Sequence, residues 1–102
     1  MLTSRKFPFV ACHHLPGRSA AAGHTHWHSY VVTFSTRRKV DQDAFIASLC
    51  AEFKHLYGAD LTDHMRDSSD EGLARWLLGR SGHLGVVRVA VETDGQREAV
   101  AP

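Results

Sequence analysis

Three histidines, His13, His26 and His28, have the residue type and the spacing to bind a metal ion. Five of the eight histidines in the chain lie within its first 28 residues. Three neutral imidazoles form the ligand set of a catalytic zinc site, because they leave a fourth tetrahedral position open for water or substrate. The spacing is consistent with a Zn²⁺ site, and equally with histidines that only satisfy backbone hydrogen bonds.

Two predicted strands would position these histidines. His26 and His28 begin a β-branched and aromatic run that is typical of a strand. Side chains alternate along a strand, so these two histidines should project from one face and Trp27 from the other. A short strand over residues 7–11 ends just before His13, which could complete the set.

Two helices are predicted in the middle of the chain. Asp41 can cap the first helix, and Gly58 can end it in a left-handed conformation. Seven apolar residues follow helical spacing within it: Phe45, Ile46, Leu49, Cys50, Phe53, Leu56 and Tyr57. The second helix begins near Ser68 and Glu71, which have capping-box spacing, and ends at residues 81–82. Its predicted buried residues are Leu73, Trp76 and Leu77.

A last strand is predicted over residues 85–93. Its valines, Val87, Val89 and Val91, should face the helices and leave Glu92 on the opposite side. The order of elements, with two helices between strands of one antiparallel sheet, indicates an α+β protein.

Composition limits the classes of partner and compartment. The 102 residues suit a single domain, 1–102, and the net charge of +1 with a pI near 7.9 gives no basic surface for nucleic acid. No segment has the length of a membrane span, and no signal peptide is expected. Two cysteines without metal or disulfide spacing favour a reducing cytoplasm.

Five motifs, in the same order along the chain, resemble those of one enzyme family. They are F-V-A-C-H-H-L at 9–15, H-W-H-S-Y at 26–30, T-D-H at 62–64, S-S-D-E-G-L-A at 68–74 and V-E-T at 91–93. Through them the chain is similar to the 6-pyruvoyltetrahydropterin synthase and 6-carboxytetrahydropterin synthase family. The similarity runs through most of its length.

The resemblance implies a tunnelling fold, in which an antiparallel four-stranded sheet carries two helices on one face. It implies a homo-oligomer, a trimer or a hexamer, with active sites for a small-molecule substrate at the subunit interfaces. The residues that match family roles are the zinc ligands His13, His26 and His28, the catalytic pair Asp63 and His64, and the pterin-binding Glu92.

One departure from the family is important. The catalytic cysteine of the synthases is replaced here by Ala22, which cannot exchange a proton. Cys12 should face away from His13, and Cys50 lies in an apolar helical stripe, where it is interpreted as a small buried hydrophobe. His24, in the same loop as Ala22, could act as a replacement base or an extra metal ligand, although a loop histidine can also be merely exposed.

Three functions are compatible with these features. The first is a zinc-dependent lyase or cyclase acting on a pterin-type substrate, in which the missing thiol shifts the chemistry toward retro-aldol cleavage of a side chain. The second is an aldolase-, dehydratase- or cyclase-like enzyme of a specialised pathway with a non-pterin substrate. The third is a protein that binds a metal or a pterin without catalysis.

Overall fold

The computed structural model of the chain describes residues 3–14, 25–37 and 41–102. The regular elements are β1 (Thr3–His13), β2 (His26–Thr36), α1 (Gln42–Phe53), α2 (Asp70–Ser81), β3 (Val86–Thr93) and β4 (Arg97–Ala101). Short 3-10 turns occupy Lys54–Leu56, Leu61–Asp63 and Gly82–Leu84. Within these ranges, every helix is too short or too polar to cross a membrane.

The four strands form one antiparallel sheet in the order β1-β2-β3-β4. One face of the sheet packs against the helices. Side chains from this face and from the helices form a single apolar core. Phe53 of α1 stacks on Phe34 of β2 and also contacts Trp76 of α2. The Phe53 ring therefore joins both helices to the sheet. The predicted α+β arrangement of a four-stranded sheet and two helices is confirmed.

The long β1–β2 pair determines which side chains share the helix-facing side of the sheet. Its register runs from Thr3 opposite Thr36 to His13 opposite His26. Alternate residues from Phe9 onward are buried against the helices, whereas their neighbours face outward. The helix-facing side therefore includes the three histidines, and the outer side includes Trp27.

A hairpin that the residue pattern did not predict joins β3 to β4. Asp94 and Gly95 have φ angles of 54° and 70°, and the Gln96 N–H donates to the Thr93 carbonyl over 3.0 Å. Two consecutive positive φ angles are typical of a type I′ turn, for which Asp-Gly is a preferred sequence. The fourth strand thus follows from a turn signal that had been present in the sequence.

The first helix follows its prediction at the cap and departs from it in its buried stripe. The Asp41 carboxylate accepts from the Ala44 N–H over 3.0 Å, and Gly58 has a φ of 76° after a closing 3-10 turn. The buried members of the predicted stripe are Phe45, Leu49, Phe53 and Leu56. Of the other three, Ile46 and Tyr57 are exposed, and Cys50, which was expected to be buried, is half-buried. Ile46 and Cys50 each lie one residue, or about 100°, beyond the stripe at 45, 49 and 53.

The second helix begins one residue later than the capping-box pattern predicts. Ser69 is the N-cap, and its hydroxyl accepts from the Gly72 N–H over 3.2 Å. Ser68 is instead buried beneath β1, so the predicted capping box with Glu71 is wrong. Leu73 and Leu77 are buried as predicted, and Trp76 packs against the core while remaining partly exposed.

The valine face of β3 is interrupted at its start. Val89 and Val91 are fully buried against the helices, as predicted. A register shift places Thr36 opposite Val86 and Ser35 opposite Arg88, so Val86 takes the buried position predicted for Val87.

Candidate metal centre

The rings of His13, His26 and His28 converge at one end of the sheet. Their centroids are 4.5, 4.7 and 4.8 Å apart, and the rings lie nearly edge to face. One nitrogen from each ring lies within 4.8 Å of the other two, so the three could bind one ion. The predicted juxtaposition of the three histidines is therefore present in a single chain.

Strand register explains the convergence. His13 is directly opposite His26, and His28 is opposite Ala11, a small residue that leaves room for the imidazole. All four side chains lie on the helix-facing side of the sheet because of strand alternation. His13 is buried, whereas His26 and His28 are half-buried. The cluster therefore borders the core at His13 and solvent at His26 and His28.

Hydrogen bonds at the outer nitrogens fix the tautomers of two rings. His13 Nδ1 lies 2.6 Å from the Ser68 carbonyl oxygen, and His28 Nδ1 lies 2.5 Å from Asp94 Oδ2. A carbonyl and an ionised carboxylate only accept, so both Nδ1 atoms must donate, and in each neutral ring the lone pair is on Nε2. His26 Nε2 then donates to His13 Nε2 over 2.9 Å, and a cation bound to both nitrogens would replace that proton.

The surroundings of the cluster suit a cation. His28 Nε2 is buried and has no hydrogen-bond partner within the part of the chain that the structure describes. Asp94 contacts His28 directly, and Asp70, whose carboxylate is paired with Arg97 at 3.5 Å, acts electrostatically on His13. An unpaired buried acceptor is costly, and binding a metal ion would remove that cost.

Two buried hydroxyls adjoin the cluster on the same side of the sheet. Tyr30 and Thr93 are Cα partners across β2 and β3, and neither hydroxyl has a hydrogen-bond partner among the residues described. The Tyr30 ring lies 5.8 Å from that of His28, and burial together with Asp70 raises the pKa of the Tyr30 phenol well above its usual value. Tyr30 is therefore a neutral donor near the site and not a base.

Burial lowers the pKa of His13, and the neighbouring His26 and His28 lower it further. In the metal-free protein, we therefore expect stability to fall as the pH drops below about 6.5, the ordinary pKa of histidine. Below that pH, His13 binds a proton in the unfolded chain but not in the native protein, so acid favours unfolding. The effect ends once the pH also falls below the pKa of His13 in the native protein. The largest slope for one group is about 1.4 kcal/mol per pH unit.

Urea unfolding between pH 5 and 8 in the presence of a chelator measures this slope. His13→Asn should reduce it, whereas the same change at the exposed His55 should leave it near the wild-type value. An unchanged slope in His13→Asn would contradict the assignment of the proton to this residue.

Asp63 and His64 lie at the end of the 3-10 turn Leu61–Asp63, and both are exposed. The His64 ring packs edge-on against His55, with centroids 5.2 Å apart. Burial and the charge of Asp60 raise the pKa of the Cys12 thiol, and the charge of Asp63 adds to this. Their neighbour Thr62 anchors the turn to β1, because its hydroxyl accepts from the His14 N–H over 3.0 Å.

Glu92 is half-buried on the outer side of the sheet, as predicted from strand alternation. Its Cα partners are Val31 on β2 and Glu98 on β4. The three histidines project from the other side, so the sheet separates Glu92 from the histidine cluster of the same chain.

The cysteines have no part in the cluster. Cys12 is buried on the outer side of β1, as predicted, and burial raises the pKa of its thiol. Cys50 is only half-buried on α1, so its interpretation as a buried hydrophobe was wrong. Ala22 and His24 lie outside the described residues. The role expected of His24 therefore stays a prediction.

Trp27 is 58% exposed on the outer side, opposite Cys12. Among the described residues, this ring is therefore not part of the apolar core.

Two residues of the cluster's surroundings had not been predicted from the sequence. Ser68 contributes a backbone carbonyl, which no side-chain pattern can reveal. Asp94 lies 66 residues from His28 along the chain, and its only local signal is the Asp-Gly turn. That signal predicts the turn, whereas the place of the turn beside β2 depends on the pairing of β2 with β3.

Comparison with known proteins gives no further assignment: no protein-family model matches the chain, and no curated protein matches it. Fold and site together define an α+β protein with a three-histidine cluster that could hold a metal ion.

Proposed function

We propose that this protein is a zinc-dependent lyase or cyclase acting on a pterin-type small molecule or a related substrate that contains hydroxyl and carbonyl groups. The observation that supports this best is the convergence of three imidazoles, two of which have their Nε2 lone pairs directed inward by acceptors at Nδ1. Three protein ligands leave a position for substrate oxygen, whereas a structural zinc site is closed by four.

Each proposed role follows from the chemistry of the residue. Bound zinc would supply a Lewis acid that stabilises negative charge on substrate oxygen during dehydration, tautomerisation or retro-aldol cleavage. The exposed imidazole of His64 could carry a proton to or from the substrate, and Asp63 would orient it. Glu92 could accept two parallel hydrogen bonds from the N–H groups of an aminopyrimidinone edge.

These roles require more than one subunit. Glu92 is on the opposite side of the sheet from the histidine cluster, and the ring contact of His64 is with His55. We therefore propose a homo-oligomer, a trimer or a hexamer, in which the metal ligands of one subunit meet Glu92, Asp63 and His64 of others. The exposed side chains of Trp27, Val10 and Val100 on the outer side of the sheet provide apolar surface for such contacts.

The thiol chemistry of the resembling synthases is not part of the proposal. Ala22 occupies the position of their cysteine, and the Cys12 thiol is buried on the wrong side of the sheet with a raised pKa. A thiol that stays protonated is a poor base and a poor nucleophile. The proposal therefore favours a retro-aldol cleavage, for which His64 supplies proton transfer.

A second candidate function keeps the fold and the metal but uses a non-pterin substrate. The resembling family has H-G-H where this chain has His26, Trp27 and His28, and the exposed indole in place of a small glycine favours this second function. Its side chain shares the outer face with Glu92 and would change the shape of any site built there.

Binding of a dihydropterin tests the first function against the second. For zinc-loaded protein, Glu92→Ala is expected to weaken dihydropterin binding at least tenfold, because removing a charged acceptor costs about 1.5–3 kcal/mol. Zinc content should remain unchanged. Fluorescence titration with a dihydropterin measures the affinity, and metal analysis measures the zinc.

Glu98→Ala is the matched control, because Glu98 pairs with Glu92 in the sheet and faces the same side. It should bind the dihydropterin as the wild type does. If the wild-type protein loaded with zinc binds no dihydropterin, the pterin substrate is excluded and the non-pterin candidate is favoured.

A further inference from the structure

The carboxylate of Asp94 links the β3–β4 turn to the histidine cluster through both of its oxygens. Oδ1 accepts from the Ser29 N–H over 2.8 Å, and Oδ2 accepts from His28 Nδ1 over 2.5 Å. The Asp94 N–H in turn donates to the Ser29 carbonyl over 2.7 Å. The position of this side chain is therefore set by the backbone of β2, independently of the imidazole that it contacts.

The backbone at Asp94 is adapted to this contact. Its φ of 54° lies in the left-handed region, which residues other than glycine seldom adopt. Aspartate tolerates that conformation in a type I′ turn better than most side chains. Asp94 therefore meets the requirements of the turn and at the same time brings a carboxylate to the edge of the cluster.

The carboxylate determines what His28 can offer a metal. Oδ1 accepts from the Ser29 N–H, and Oδ2, 2.5 Å from His28 Nδ1, is the acceptor that this carboxylate offers the imidazole. His28 Nδ1 must then hold the proton, and Nε2, which is buried without a partner among the described residues, presents a lone pair to the cluster.

We propose that Asp94 is a positioning residue for the metal centre, holding His28 in the tautomer and orientation that bind a divalent cation. This inference depends on the metal site of the proposed function and not on the substrate. Histidine ligands commonly donate their second N–H to a carboxylate, which fixes the ring and raises its basicity.

Of the two acceptors that bind the Nδ1 atoms of His13 and His28, only the Asp94 carboxylate belongs to a side chain that mutation can replace. The equivalent bond of His13 goes to the Ser68 carbonyl, which no side-chain substitution removes. In Asp94→Asn, one amide oxygen can still accept from the Ser29 N–H, whereas the amide nitrogen in place of Oδ2 donates. A donor at that place would favour the His28 tautomer that has its proton on Nε2, and that nitrogen could not bind a metal.

Zinc titration by calorimetry is the test. Asp94→Asn is expected to raise the zinc dissociation constant about 10- to 100-fold. Asp70→Asn is the matched control, because it removes the other carboxylate near the cluster, which is paired with Arg97. It should raise the constant less than about threefold if the hydrogen bond, and not the charge, is what matters.

A second measurement tests the inference in the wild-type protein itself and in Asp94→Asn. In the metal-free wild type, ¹⁵N NMR should find the His28 proton on Nδ1, and in Asp94→Asn on Nε2. A proton on Nε2 in the wild type would overturn the inference.

The outcomes separate the two proposals. If Asp94→Asn binds zinc as tightly as wild type while His26→Ala does not, the metal site stands and the role of Asp94 is wrong. If wild type and His26→Ala bind zinc equally weakly, the metal site itself is wrong, and the role of Asp94 is lost with it.

Discussion

Replacing His26 with alanine is expected to raise the zinc dissociation constant by about a hundredfold or more. Apparent binding free energies of zinc at neutral pH are about 10 kcal/mol or more. If three imidazoles share that energy, each contributes about 3 kcal/mol, and each 1.4 kcal/mol is a tenfold change in affinity. Competition with a chelator of known affinity measures the constant.

His26 is the most informative of the three ligands to replace. It is half-buried, whereas His13 is buried and bonded to the Ser68 carbonyl, so replacing His13 would also disturb packing. His55→Ala is the control, because that histidine is exposed and its ring packs on His64. Zinc affinity that is unchanged in His26→Ala would mean that zinc binds elsewhere.

Replacing Gly72 with alanine is expected to destabilise the protein by about 3 kcal/mol. A Cβ at this position would overlap the backbone oxygen and the side chain of Asp67. Overpacking a buried site costs about 1–3 kcal/mol. Because the Gly72 N–H also binds the Ser69 cap, movement at this point would lose about 1 kcal/mol more from the helix N-terminus.

The same substitution should weaken the metal site. Asp67 is followed directly by Ser68, whose carbonyl accepts from His13 Nδ1. Displacing this segment to admit a methyl group would lengthen or break that bond. We therefore expect lower zinc affinity in Gly72→Ala as well as a lower urea midpoint for unfolding.

Gly79→Ala is the matched control in the same helix. A Cβ there meets nothing within 4 Å, so the change should leave packing intact and stabilise the helix by up to about 1 kcal/mol. The two variants differ only in their surroundings. Equal free energies of unfolding for Gly72→Ala and Gly79→Ala would show that the segment at Asp67 moves aside without loss of stability.

These results would also bear on how the protein assembles. The metal ligands lie on the helix-facing side of the sheet, and Glu92 and Trp27 lie on the outer side. If Glu92→Ala removes dihydropterin binding and His26→Ala removes zinc, each from its own side of the sheet, a site that needs both must combine different subunits. Sedimentation of the wild type would then give the number of chains.

Local patterns along the chain determined much of the fold. Alternation in β2 placed His26 and His28 on one face, since side chains along a strand repeat every two residues. The Asp41 cap and the left-handed Gly58 were likewise predictable, because each depends on neighbouring backbone groups alone. The Asp94-Gly95 turn belongs to the same class, because Asp-Gly is a local turn signal.

Only the tertiary structure decided how the cluster is completed and supported. The register that sets His13 opposite His26, the carbonyl of Ser68 beside His13, and the carboxylate of Asp94 beside His28 all join segments that are distant in sequence. Side-chain periodicity identifies a strand's faces but not its partner's register, which depends on packing across the whole sheet. The sequence by itself thus determined which three residues could bind a metal. Packing decided that one nitrogen of each ring comes within 4.8 Å of the other two.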